Sequence, residues 1–564
     1  LVERRAASSS PSSVFFFERR APRSRALLLF SPSNLNQKKP QTNNQTDYLK
    51  AAQPLAWTIA NLVLAQQEFS MGFGEHTEEA NNLIEWGLDW LQKAHVKASD
   101  VPSENVFVGQ VSDKETDHHY FGRPQHHLVK RPVYLVDKDH PGADVAAHYA
   151  AAFAAGAAYY KKKGDQEKSD ALMTRAKQAM GYARQFKKTW KTPPKVFQAY
   201  STYWPTGYLG HYVWATAWMC KVDKQYCPAA LEDFKKAMHV DNIKYALGYD
   251  WDAVMPGAAV LMLANGQEPA ATQAKEYLDA YLLAKWQDRD SKCPAEPYST
   301  VCYTPKGLAA YSDWGTLRNT ANMLFISAIM AKRGLSPRTR DANLCWARDQ
   351  MRYILGSGKS GKSYVLGYGP SPPQHPHHRQ SACPATYTEP CRLMPAPANG
   401  TCCAGERIGD GCCTYDNFSS NKNAPLVIKG GLVGGPDQAD FFPDKRTDYK
   451  QSEVALDFNA GFTGALAGLA TFDMMSEEAL DAKCAKVGDR LGDGKRVEDF
   501  TACGGVGDLC PPELGGKCKD APWPGYVCNP GLVCHRRNQY FWLCETAVPY
   551  TLPEDQIDIK EKKL

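Results

Sequence analysis

Between Tyr48 and Ala470 the chain repeats one pattern: a stretch of helical periodicity, a break, then another such stretch, with no strand–helix alternation. Eleven helices are expected, near 48–67, 77–97, 143–163, 166–188, 207–222, 228–246, 252–266, 270–286, 314–333, 340–356 and 451–474. The run Asp144-Val-Ala-Ala-His-Tyr-Ala-Ala-Ala-Phe-Ala-Ala-Gly156 tells what surrounds them. Small residues occupy all its sides, so neighbours can approach it from more than one direction. An all-α domain follows, with loops long enough for function at 98–142, 287–313 and 357–450. A closed toroid of six αα pairs needs twelve helices, and this reading is one short. Upstream of Tyr48 the sequence turns Asn-, Gln- and Pro-rich, so the first helix is the one expected to be missing.

The 18 cysteines are unevenly spread. Six lie between Cys383 and Cys413 and six between Cys503 and Cys544, without the C-x2-C pairs of a cytosolic metal site. Such spacing indicates disulfides formed outside the reducing cytosol, and the sequons at Asn44, Asn399 and Asn417 fit a secreted protein. The net charge of +5 is spread along the chain, which argues against a nucleic-acid partner. No apolar stretch is long enough to span a membrane. Residues 1–41, beginning at Leu1 and rich in Arg and Ser, are expected to be disordered or artefactual, since their apolar runs are too short for a signal-peptide core. The 13 Trp and 28 Tyr supply flat faces suited to stacking on sugar rings, although most such residues fill cores.

The most informative segment runs Gly430-Gly-Leu-Val-Gly-Gly-Pro-Asp-Gln-Ala-Asp-Phe-Phe-Pro-Asp444-Lys-Arg-Thr-Asp-Tyr-Lys-Gln-Ser-Glu453 and on through Val454-Ala-Leu-Asp-Phe-Asn-Ala460. A Gly/Pro loop bearing Asp437, Asp440, Asp444 and Asp448 leads into a helix with the apolar face Val454, Phe458, Phe462 and Leu466. Glu453 is expected in the first turn of that helix. From Phe442 to Ala460 the run follows aromatic-x-Asp-x4-aromatic-x3-Glu-x-Ala-x3-Asn-Ala, and in this it resembles the catalytic segment of glycoside hydrolase family 9. The resemblance implies Glu453 as general acid and Asp444 as a supporting carboxylate. A helix N-terminus favours an ionised carboxylate. An acid placed there would need burial and the negative charge of Asp444 to hold its proton.

Further motifs extend the likeness from Asp47 to about Ala470 in unbroken order. The loop Ser363-Tyr-Val-Leu-Gly-Tyr-Gly-Pro-Ser-Pro-Pro-Gln-His-Pro-His-His-Arg379 resembles the family loop that sets a His and an Arg at the scissile sugar, which implies His377 and Arg379. Thr116-Asp-His118-His-Tyr120-Phe-Gly-Arg-Pro-Gln125 resembles a substrate loop, with His118 on the substrate and Tyr120 or Phe121 as a wall. Pro141-Gly-Ala-Asp-Val-Ala146, Tyr303-Thr-Pro-Lys-Gly-Leu308 and Trp314-Gly-Thr-Leu-Arg318 match family elements, the last implying Trp314 as a stacking platform and Arg318 as a substrate contact. Two places depart from the pattern. Where the family often binds calcium with Ser-Gly-aromatic-x-Asp-Glu, this chain reads Thr206-Gly-Tyr-Leu-Gly-His211, so neither calcium nor any other cofactor is expected. Where the family carries Asp-Ala-Gly-Asp, this chain reads Asn44-Gln-Thr-Asp47, which keeps Asp47 as the candidate base but replaces its partner by an uncharged amide.

The expected organisation is residues 1–41 without fold, an (α/α)6 domain over 42–475, a linker over 476–502, a Cys-rich module over 503–544, and a charged tail over 545–564. The module resembles an enlarged cellulose-binding module of family 1, which implies a binding surface of Tyr540, Phe541, Trp523 and Gln539. The family resemblance implies a monomeric, secreted endo-β-1,4-glucanase acting with inversion on cellulose or a related β-glucan. A β-glucan-binding protein without hydrolytic activity is the alternative, because of Asn44.

Overall fold

The computed structural model describes residues 48–472, apart from 114–116, 119–120, 123–130, 191–202, 204, 245, 267, 296–299, 334–336, 385–412 and 414, and beyond them 481–482, 484 and five short strands between 495 and 546. Eleven long helices follow one another: α1 Ala52–Phe69, α2 Thr77–Ala94, α3 Ala143–Lys163, α4 Gln166–Gln185, α5 Leu209–Val222, α6 Cys227–Met238, α7 Met255–Asn265, α8, α9 Thr316–Arg333, α10 Pro337–Leu355 and α11 Leu456–Phe472. Helix α8 is a composite of Ala270–Glu276, a π-wound Tyr277–Leu283 and Ala284–Trp286.

Odd-numbered helices pack against one another in the order α1, α3, α5, α7, α9, α11, and α11 returns to α1 to close a ring. Each of the first five is followed by an even-numbered helix on its outside, so the described residues form an (α/α)6 toroid with six inner and five outer members. Composition explains the layering. Inner helix α3 buries 18 of its 21 residues, and ten of the buried ones from Ala143 to Ala158 are alanine besides Gly156, which leaves room for neighbours on all sides. Outer helix α2 buries only Ala80, Ile84, Gly87, Leu88, Leu91 and Ala94, a single stripe at helical spacing, and turns acidic and amide residues outward. Gly164 ends α3 in the left-handed conformation (φ 80°), and Asp165 then caps α4 through the Lys168 amide.

Four disulfides are described: Cys220–Cys227, Cys293–Cys302, Cys383–Cys413 and Cys345–Cys484. The last ties α10 to the segment expected as a linker. Within that same segment Lys495–Val497 (β6) pairs in parallel with Tyr526–Cys528 (β8), so 476–502 carries structure of its own. Beyond it, Ala502–Gly505 (β7), Phe541–Thr546 (β10) and Leu532–Arg536 (β9) form a three-stranded antiparallel sheet in the order β7-β10-β9. Near the other end, Lys50–Ala51 (β1), Phe107–Val111 (β2) and Val133–Val136 (β3) make a small antiparallel sheet over the start of α1. No helix among the described residues is long and apolar enough to cross a membrane.

At the end of α2, His95 is buried with its ring stacked on Phe107 at 4.3 Å and its Nε2 2.9 Å from Asn105 Oδ1. Burial pushes this imidazole down to about 4, against the opposing pull of the Asn105 hydrogen bond. An unfolded histidine takes up a proton below about 6.5, whereas this one resists protonation until about 4, so stability is lost as pH falls through that window. The shift corresponds to a loss on the order of 3 kcal/mol. Thermal denaturation of wild type and His95→Gln should show the wild type losing more Tm between pH 6.5 and pH 4. Equal losses would mean that His95 does not set the acid limb.

Candidate active site

Glu453 lies where four loops are stitched together by backbone hydrogen bonds. Asp448 caps the short helix Tyr449–Ser452 by accepting from the Lys450 and Gln451 amides (3.1 and 3.2 Å). The chain then leaves that helix extended, with Glu453 at φ −66° and ψ 145°. Its neighbour Ser452 accepts from the His377 amide (2.8 Å), and its own carbonyl accepts from the Gly434 amide (3.0 Å). The expected position in the first turn of α11 is therefore corrected: α11 starts at Leu456, and the backbone of Glu453 is already committed to a bridge with His377. The helix dipole is not the direct neighbour that the sequence suggested. Further along, Gly315 donates to the Lys450 carbonyl (3.0 Å) and Leu317 to the Gly434 carbonyl (2.8 Å), which joins the Trp314 turn to the same assembly. Asn459, on α11, ties its side chain to the Leu432 amide (2.9 Å).

The histidine loop is held from below by Asp444. Its carboxylate accepts from the amides of Gln374 (2.8 Å) and His375 (3.2 Å) and meets His375 Nδ1 at 3.1 Å. Asp444 thus shapes the loop that presents His377. His377 Nδ1 lies 2.8 Å from the Arg446 carbonyl, which can only accept, so in the neutral ring Nδ1 carries the hydrogen and Nε2 the lone pair. Arg379 is buried; its guanidinium pairs with Asp117 at 2.6 Å and covers the Tyr48 ring at 5.5 Å. Asp117, itself fully buried, also accepts from the Tyr48 amide at 2.9 Å. His118 stands beside it, with Nδ1 3.5 Å from the Asp117 carboxylate.

Arg318 is half-buried, 3.5 Å from Asp457 and 3.9 Å from Asp250. Burial works against its charge, but Asp250, Asp457 and Glu453 more than offset that, and its pKa stands above the ordinary guanidinium value. Burial pushes Asp457 up to about 6 in spite of Arg318. Trp314 is exposed (44%), and so is Tyr449 (47%), their rings 5.0 Å apart; Tyr449 is also 6.3 Å from His377. Lys450 and Asp313 join the two turns by an ion pair of 2.6 Å. A carboxyl on a fixed backbone, in a segment that also carries an exposed ring, can serve acid catalysis on a stacked sugar once it holds a proton.

Sequence reasoning did not single out Tyr449 or Asp117, although both lie within motifs it quoted: Tyr449 is the second aromatic of the Glu453 pattern. Phe121, one of two candidates for a wall, is buried against Cys383, Cys413 and Phe418. The Asn417 sequon is closed in the folded chain, since Asn417 is buried. Asp47, Asn44, Tyr120, Gln125, Trp523, Gln539 and Tyr540 lie outside the described residues, and of Phe541 only its place in β10 is described.

A β-carbon at Gly434 would fall within the van der Waals radius of the Lys450 carbonyl, backbone that cannot yield without moving the Tyr449–Glu453 segment. Gly434→Ala should therefore cut turnover on a soluble β-glucan about tenfold or more, through misplacement of Glu453. Gly181→Ala, in the open interior of α4, serves as the tolerated control. Full activity in Gly434→Ala would show that the stitched loops do not set the position of Glu453.

A family model described as "Glycosyl hydrolase family 9" matches residues 45–466, well over half of the chain. Endoglucanase 17 of Arabidopsis thaliana is 30% identical over 437 residues, covering 75% of this chain and 78% of that protein. An endoglucanase of Dictyostelium discoideum is 27% identical over 427 residues, so this chain spans about half (52%) of that relative. Among solved structures, an endoglucanase of the termite Nasutitermes takasagoensis superposes with a TM-score of 0.64 at 28% identity, covering 80% of this chain and 98% of that one. The cellulase Cel9M of C. cellulolyticum, in complex with cellobiose, gives 0.60 at 25% identity, covering 76% and 87%. The matched span takes in Glu453, the histidine loop, the Trp314 turn and every helix of the ring up to α11, and the chain belongs to glycosyl hydrolase family 9.

Proposed function

We propose that the protein is an endoglucanase that hydrolyses internal β-1,4-glucosidic bonds of cellulose or a related β-glucan with inversion at the anomeric carbon. The observation that carries this reading is the setting of Glu453, fixed by backbone bonds to the His377 loop and to Gly434, close to the exposed rings of Trp314 and Tyr449. Family membership and relatives that are themselves endoglucanases support it. In the reaction, the Glu453 carboxyl gives its proton to the glycosidic oxygen as the bond from C1 to that oxygen breaks. A water attacks C1 from the opposite face and passes its proton to Asp47. Glu453 is left ionised and regains a proton from solvent. Inversion requires the two carboxyls to stand roughly 6.5–9.5 Å apart, so that the water fits between them.

His377 and His118 serve as hydrogen-bonding contacts to sugar hydroxyls, and Trp314 with Tyr449 forms the stacking surface. Arg379 acts by holding Asp117 and, through it, Tyr48, the residue next to Asp47. Asp444 and Arg318 act similarly, one on the histidine loop and one on the carboxylates around Glu453. The Cys-rich module is proposed to bind cellulose through Tyr540, Phe541, Trp523 and Gln539; a three-stranded antiparallel sheet with Phe541 at the head of β10 is compatible with that. A secreted, monomeric protein without a cofactor completes the proposal, and the disulfides support the compartment.

The test is stereochemical. Proton NMR of a cello-oligosaccharide digest should show the α-anomer first at the new reducing end. Glu453→Gln should lower turnover about 10²–10⁴-fold while leaving binding nearly intact. The β-anomer appearing first, or near-normal turnover in Glu453→Gln, would overturn the mechanism. Binding of β-glucan without turnover in the wild type would favour a non-hydrolytic binding protein.

A further inference from the structure

The turn Thr206-Gly-Tyr-Leu-Gly-His211 runs into α5 opposite the loop Asp250–Ala253 and beside the first turns of α3. This is the stretch in which the family's calcium-binding pattern has lost both carboxylates, at Gly210 and His211. What stands there instead does not suit a hard dication, which takes oxygen ligands. His211 Nε2 lies 3.0 Å from the Asp252 carbonyl, and His148 Nε2, from α3, lies 2.7 Å from the Trp251 carbonyl. The two rings are 4.5 Å apart and buried. A carbonyl can only accept, so both Nε2 atoms carry hydrogen and direct it at backbone oxygens that could otherwise have served as ligands.

The carboxylate of Asp252 is engaged too. It accepts from the Thr206 amide at 3.0 and 3.3 Å, and its Oδ1 is 3.7 Å from His211 Nε2. Nearby Asp144 is taken up by Gln53 Nε2 (2.8 Å) and the Trp190 amide (2.7 Å). Tyr203 adds an edge-on contact to Trp251 at 5.1 Å. Among the described residues no three His, Cys, Asp or Glu side chains are grouped so as to hold a metal ion.

We propose that the His148–His211 pair takes over the mechanical role of a bound cation: the 250–253 loop is held without calcium by the His211 imidazole N–H and the Thr206 amide from the 206–211 turn and by the His148 imidazole N–H from α3. One side of the latch is a donor from the turn into the Asp252 carboxylate; the other is a donor from His211 into the Asp252 carbonyl. Each buried imidazole spends its hydrogen on one carbonyl, so the latch is made from side chains that fold with the domain.

Thermal denaturation of the full chain at neutral pH tests this. Neither excess EDTA nor excess calcium chloride should move the Tm of the wild type. His211→Ala should lower Tm by several degrees, and calcium should not restore it. Gly210→Asp/His211→Glu, which installs the family's two carboxylates, should instead gain Tm on addition of calcium. A wild-type Tm that falls in EDTA and returns with calcium would overturn the proposal. An unchanged Tm in His211→Ala would overturn it as well. A double variant that folds but gains nothing from calcium would show that the imidazoles do not stand in a cation's place.

Discussion

The ring closes because α11 has almost no side chain where its neighbours press on it. Gly461, Gly464 and Gly468 fall on one face at helical spacing. A β-carbon at Gly464 would lie 2.5 Å from the Phe325 ring on α9, and one at Gly468 would lie 2.8 Å from Ala328 and 3.0 Å from Phe69 on α1. Real β-carbons do not approach so closely, so the α9–α11–α1 contact exists only in this composition. The alanines of α3 do the same at the next position round the ring, beside α1. Close approach of backbones is the structural theme, and it extends beyond helices: the Glu453 segment, the Gly434 segment and the Trp314 turn are joined amide to carbonyl.

That construction lets Glu453 be placed without a helix to carry it. Side chains around Glu453 then divide the work. Some sit at the surface, as do Trp314 and Tyr449. Others hold the loops from within: Asp444 the histidine loop, Asp117 the link between Arg379 and Tyr48, and Arg318 the carboxylates Asp250 and Asp457. Charged groups at reduced exposure are costly unless paired, and each of these is matched to an opposite charge or to amide donors.

Much of the fold could be read from the sequence because helical periodicity in this chain is strong and its breaks are sharp. The start of α3 was expected at 143 and is observed at Ala143; the end of α5 was expected and is observed at Val222. The acid segment was misread for a physical reason. Periodicity in Val454, Phe458, Phe462 and Leu466 marks a buried face but not where helical hydrogen bonding begins, and the bridge to His377 is a contact distant in sequence. The ion-pair partners of Arg318 and Arg379 were similarly beyond reach, since nothing local reveals that Asp250, Asp457 and Asp117 lie beside them. A sequon is local too, and the one at Asn417 gives no hint that packing buries it. The pairing of Cys345 with Cys484 lies across 139 positions and could not have been chosen from spacing.

The bond between Cys383 and Cys413 closes a stretch with a sequence separation of 30, and both sulfurs are buried with Phe121 and Phe418. The bond joins the end of the histidine loop covalently to the stretch that leads on to Arg446. A protease cut between the two cysteines would therefore leave both flanks covalently joined. A severed chain would still be held at its two roots.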